Sequence, residues 1–134
     1  MKIEFGEISV SPAKGRTSGG RPFFVLNKPF VVGIIWEDLY DENPWKMKIV
    51  VPNGFDTDFA STPWFLHRFF PPAGKYAPVA VLHDYLYRKA ANCPRVLADA
   101  VFRVGMKQLG VGRIKRWIMW AAVRLFGWLS YQKR

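Results

Sequence analysis

The sequence predicts an α+β fold: an N-terminal antiparallel sheet, or set of hairpins, packed against three C-terminal α-helices. Three observations lead there. Short β-branched and aromatic runs bounded by Pro, Asn and Gly fill residues 1–60. Apolar residues then recur in a helical pattern through residues 61–134. No stretch between the two is long enough to act as a linker, so 1–134 reads as one domain, mainly β and then mainly α.

Ile3 to Phe5 and Ile8 to Val10 sit in short alternating stretches, followed by a basic Gly/Ser-rich segment, Ser11 to Gly20, that reads as a mobile loop. Phe23 to Leu26 and Phe30 to Trp36 are strand-like runs separated by an Asn27-Lys28-Pro29 turn. Lys46 to Val51 is the next strand, and Pro52-Asn53-Gly54 the turn that closes it. Ser61-Thr62-Pro63 places a capping hydroxyl before a proline, which predicts a short helix through Phe70, stopped by Pro71-Pro72. Three further helices are expected over about 78–90, 94–110 and 113–131.

Composition bounds the rest. At 134 residues and half apolar, the chain can bury a core without staples. Its single cysteine, Cys93, excludes an intrachain disulfide framework and disfavours a disulfide-stabilised secreted protein; no signal peptide is visible. The net charge is +10, and no acid follows Asp99. A basic end suits phosphate-bearing or acidic partners: anionic lipid, an acidic protein surface, or nucleic acid, for which charge is the one support. No apolar run is long and uninterrupted enough to predict a transmembrane span, because Arg124 breaks the helix that comes nearest.

The chemistry-bearing residues cluster in Leu82-His83-Asp84-Tyr85-Leu86-Tyr87 and Leu97-Ala98-Asp99-Ala100-Val101-Phe102. His83 and Tyr87, four apart, share a helix face with Asp84 on the flank. Asp99 lies on the next helix, which a short loop folds back antiparallel. Its carboxylate can accept from one imidazole nitrogen, fix the tautomer and leave the other nitrogen to act as a base. Buried polar groups need partners in any case. A satisfied polar knot joining two helices therefore explains the same residues without catalysis.

Two resemblances follow from these residues. Phe55-x-Thr57-Asp58-Phe59-Ala60-Ser61-x-Pro63, Val81 to Tyr87, and Ala98-Asp99-x-x-Phe102, in that order, resemble a small bacteriophage and prophage family, domain of unknown function family 1353. This resemblance implies a phage origin, with the virion or host cytoplasm as the location and other phage structural proteins as partners. More narrowly, His83-Asp84-x-x-Tyr87 with the later Ala98-Asp99-x-x-Phe102 is similar to the two catalytic helices of phospholipase A-two, especially its cysteine-free viral form. That likeness implies His83 as the base that activates water toward an ester, Asp99 as its orienter and Tyr87 as support. Asp84 would be a calcium ligand. Calcium takes six to eight oxygens, and the chain departs from the family where its Gly-rich calcium loop belongs: Pro71 to Tyr76 has one glycine, two prolines and a lysine. Asp56 and Asp58 are the acids that could add oxygens; turn-making and capping explain Asp58 without function and are the preferred reading.

Two lesser readings are a metal phosphohydrolase set of His67, His83, Asp84 and Asp99, and a nucleophilic Cys93, which has no adjacent base in sequence. The last helix, Arg113 to Tyr131, is expected to cover the His–Asp helices as a core element with its basic residues reaching outward; an interfacial membrane helix is the alternative. The functional expectation is a phage-encoded accessory protein, either a phospholipase-like hydrolase or a degenerate one. The alternative is a non-enzymatic virion or assembly protein. The enzymatic reading expects a solvent-reachable cleft at His83; the non-enzymatic one expects these side chains sealed.

Overall fold

In the computed structural model, residues 1–18, 21–37, 40, 42–57, 75–129 and 131–132 are described. Among the described residues, six strands precede three α-helices: β1 (Lys2–Phe5), β2 (Val10–Ser18), β3 (Arg21–Leu26), β4 (Phe30–Trp36), β5 (Trp45–Val51), β6 (Asp56–Thr57), then α1 (Ala77–Leu86), α2 (Arg95–Gln108) and α3 (Arg113–Phe126). The strands form two antiparallel three-stranded sheets, ordered β1-β4-β5 and β2-β3-β6. The α+β expectation is met.

Strand β4 is central in its sheet and alternates, burying Phe30, Val32 and Ile34 while Val31 faces out. That alternation is what a half-buried antiparallel strand requires. The edge strand β1 is tied to the helices by one side chain. Gln108 accepts from the Ile3 N–H and donates to the Ile3 carbonyl, both at 2.7 Å. The turn at Pro52 to Gly54 is present, with Gly54 in the left-handed region at φ +82°. It returns the chain beside β3, where Val25 and Phe24 pair with Asp56 and Thr57.

Some boundaries differ from the sequence reading. The segment expected as a mobile loop, residues 11–20, is strand β2 as far as Ser18; it pairs with β3 through a register shift between Pro12 and Thr17. Pairing to a neighbour overrides Gly/Ser composition there. Helix α1 ends at Leu86, and Lys89–Ala91 form a separate 3-10 turn. The helix expected from Ser61 to Phe70 lies outside the described residues.

Asn92, left-handed at φ 47°, and Pro94, extended just before α2, reverse the chain between α1 and α2. Asparagine tolerates that conformation better than most residues. The two helices then pack closely because Gly105 faces Val79: a β-carbon on Gly105 would overlap the Val79 side chain. One hydrophobic cluster joins the halves, drawing on Ile3, Phe30, Val32, Val79, Leu82, Phe102 and Met106. Helix α3 meets the core expectation on one face only, through Met119, Ala122 and Val123. Among the described residues, no helix is long and apolar enough to cross a membrane.

Candidate functional site

The close antiparallel packing of α1 on α2 brings His83 to Asp99. His83 Nε2 lies 2.8 Å from Asp99 Oδ1, and the Tyr87 hydroxyl donates to the same oxygen at 2.6 Å. The other oxygen, Oδ2, accepts from Arg124 Nη1 of α3 at 2.7 Å. Three helices therefore converge on one carboxylate. The imidazole packs against two tilted rings, 4.1 Å from Tyr87 and 4.7 Å from Phe102 between centroids. These contacts and the bond to Asp99 together set the orientation of the ring. With Asp99 ionised, Nε2 is the donor, and Nδ1 is the nitrogen on the side away from the acid.

Two opposing effects act on Asp99. Burial penalises the ionised form, but hydrogen bonds from His83, Tyr87 and Arg124 outweigh it and hold the carboxyl below the usual carboxylate range. Tyr87 shifts the other way. Burial foremost, and the hydrogen bond to Asp99 next, push its phenol upward, so it stays protonated and donates.

Asp84 is the neighbour of His83 and is rotated from it by about 100° around the helix. It consequently faces the sheet instead of α2. The Thr57 hydroxyl of β6 donates to Asp84 Oδ2. The two acids are thus divided between two sides of α1. Asp56, adjacent to Thr57, is engaged elsewhere: Arg88 Nη2 lies 3.2 Å from its carboxylate and 2.8 Å from its carbonyl oxygen. Asp58 and His67 lie outside the described residues.

Of the calcium set implied by the phospholipase likeness, Asp84 and Asp56 are described, and each has a protein partner. Among the described residues, no group of three or more His, Cys, Asp or Glu side chains can hold a metal ion. Asp84 is bonded to Thr57, and Asp56 to a guanidinium. Of the phosphohydrolase set, Asp99 is bonded to His83, Tyr87 and Arg124. Cys93 is buried, and burial raises its thiol, which opposes the thiolate a nucleophile needs.

The base and its partner are buried: His83 is 2% exposed and Asp99 0%. A Tyr131 hydroxyl bonded to the Cys93 carbonyl at 2.7 Å and a Gln132 N–H bonded to the Tyr87 carbonyl at 2.8 Å pack the last described turn beside the network.

Three members escaped the sequence reading. Arg124 was legible as a charge interrupting an apolar run, which fits a snorkelling residue as well as a buried ion pair. Arg95 binds the Val123 carbonyl at 3.1 Å and the Arg124 carbonyl, capping the end of α3. It also stands one helical turn before Asp99, its Nε 3.8 Å from Asp99 Oδ2, a spacing that was readable in the sequence. Thr57 entered the sequence reading only as a motif residue, because its partner Asp84 lies in a distant segment.

With the geometry established, comparison with known proteins adds one finding. A family model described as "Protein of unknown function (DUF1353)" matches residues 35–123, well over half of the chain. The chain belongs to the DUF1353 family. The match spans Asp56, Thr57, His83, Asp84, Tyr87 and Asp99. No curated protein and no solved structure matches the chain.

Proposed function

We propose that this DUF1353 protein is a phage-encoded accessory hydrolase of phospholipase type, closed in the conformation described above. The observation that supports the reading is the shared carboxylate: His83 and Tyr87 bond one oxygen of a buried acid on the antiparallel helix, which fixes the imidazole tautomer. In the proposed reaction, Nδ1 of His83 takes a proton from water as the water oxygen attacks an ester carbonyl. The tetrahedral adduct then collapses, and the imidazolium returns that proton to the departing alkoxide, giving an acid and an alcohol. Asp99 stays ionised throughout and stabilises the imidazolium; Tyr87 holds Asp99 in place. No step is assigned to calcium. Because His83 is 2% exposed, turnover requires its covering to move when substrate arrives.

That burial also favours a second reading, in which the network is a brace between α1, α2 and α3. The protein is then a non-enzymatic virion or assembly component whose basic half binds an acidic partner. Arg124 supports the brace, since a guanidinium on Asp99 weakens the field available to a charged imidazole. Hydrolysis of phospholipid vesicles, with calcium and with chelator, separates the two when wild type is compared with His83→Ala. The hydrolase reading expects turnover by the wild type and its loss in the variant. Equal rates in both, under both conditions, leave the brace.

A further inference from the structure

Helix α3 is apolar on two faces. Successive residues turn by about 100°, so Met119 and Val123 project inward, whereas Ile114, Trp117, Ala121 and Leu125 form a ridge on another side. That ridge faces outward: Ile114 is 77% exposed, Trp117 60% and Leu125 67%. Trp128, in the 3-10 turn that follows α3, is 60% exposed. Single exposed apolar residues are ordinary, but three large ones in register on one helix, continued by Trp128, form a patch.

Cations border this ridge. Arg103, Arg113 and Arg116 line a depression of about 310 Å³ with Ile114 and Trp117. A neighbouring groove of about 740 Å³ between α2 and α3 is lined by Arg103, Lys107, Arg116, Trp120 and Arg124. The Arg103 guanidinium stacks 5.1 Å from the Trp120 ring centroid. No acidic side chain lines either hollow, and none occurs in the chain after Asp99.

We infer that this face of α3 docks on the surface of an anionic lipid bilayer. The ridge enters the boundary between headgroups and acyl chains, and the arginines and Lys107 meet headgroup phosphates. Charge complementarity selects the anionic surface, and the bulky aliphatic members of the ridge select lipid over nucleic acid. A phosphate backbone gives Ile114 and Leu125 nothing to bury against, whereas tryptophans flanked by cations suit an interface. The inference goes beyond the hydrolase reading and holds whether or not His83 turns over an ester.

Flotation of the full chain with ether-linked lipid vesicles tests it without interference from hydrolysis. Vesicles containing phosphatidylglycerol should carry the protein at low salt, pure phosphatidylcholine vesicles far less, and added salt should release it. Arg113→Gln with Arg116→Gln should weaken partitioning by roughly twenty-five-fold, at about fivefold per charge near the surface. Trp117→Ser with Leu125→Ser should weaken it by at least about tenfold, the scale of removing large apolar side chains from lipid. Circular dichroism should show both pairs folded. Failure to float with anionic vesicles at low salt overturns the inference, as does flotation that neither pair weakens. So does duplex DNA binding that persists in Trp117→Ser/Leu125→Ser when no variant or wild type floats. A dimer in ultracentrifugation that Trp117→Ser dissolves, with no vesicle binding by either form, assigns the ridge to a second copy and also overturns it.

Discussion

Helix pair α1–α2 and helix α3 distribute polarity in opposite ways. The pair buries His83, Asp84 and Asp99 among apolar neighbours, while α3 turns Ile114, Trp117 and Leu125 to solvent. Burying charge costs free energy unless it is paired, and exposing apolar area forgoes a favourable term. Each helix set therefore departs from what stability alone would select. The pair recovers its cost internally, through bonds to Asp99. Helix α3 leaves its apolar area unburied, the area that the proposed membrane docking would cover. A closed polar centre and an open apolar ridge lie on consecutive helices, joined by Arg124, which belongs to α3 and binds Asp99.

The strongest way to break this contrast is to remove the central acid. Asp99→Ala strands His83, Tyr87 and Arg124 in or at the edge of a dry interior, and should cost about 3–5 kcal/mol in urea unfolding. A loss under 1 kcal/mol would mean that the network is not carrying the helix junction. The same carboxylate gives a pH dependence with a definite sign. Its folded pKa lies below its unfolded value, so its contribution is complete above the unfolded carboxylate range, near about 4. That contribution disappears as pH falls through the depressed folded value. The wild type should lose stability on acidification in that window, and Asp99→Asn should lose less; parallel curves would contradict the assignment.

A smaller effect probes the approach of the helices. Gly105→Ala places a methyl group against Val79 and should cost about 1–3 kcal/mol, visible as a lower thermal midpoint. Tyr87→Phe removes one bond to Asp99 while keeping the ring on His83, for a loss of about 1 kcal/mol by chemical denaturation. At the other extreme, Trp117→Ser should change stability by no more than about 0.5 kcal/mol, because its side chain is largely solvent-exposed. A large loss there would show that the ridge is part of the core, and would erase the contrast.

Much of this was written in local pattern. Beta-branched runs marked β3, β4 and β5, and apolar spacing marked α1 through α3 to within a few residues at most ends. His83, Tyr87 and Asp99 were legible together because helix periodicity aligns the first two and a short reversal brings up the third. What was not legible depends on pairing between remote segments. Strand β2 exists because β3 lies beside it, against its own composition. Thr57 reaches Asp84 through a sheet register that no local spacing encodes. Arg124 was visible as an oddity in an apolar helix, but its partner was twenty-five positions away. The outward ridge of α3 was hidden for the opposite reason: apolar residues on a helix read as core until the neighbours are known.

The proposed hydrolase needs a His83 site that is closed in water and opens on a membrane, where a permanent brace would stay shut. Exchange of the imidazole C2 proton with deuterated solvent, followed by mass spectrometry, reports solvent access at His83 without requiring a known substrate. In buffer the exchange should be far slower than in the unfolded chain, and under the hydrolase proposal at least tenfold faster once the protein is bound to anionic vesicles. Exchange at His83 that stays at the buffer rate while flotation shows the chain on the membrane would contradict it.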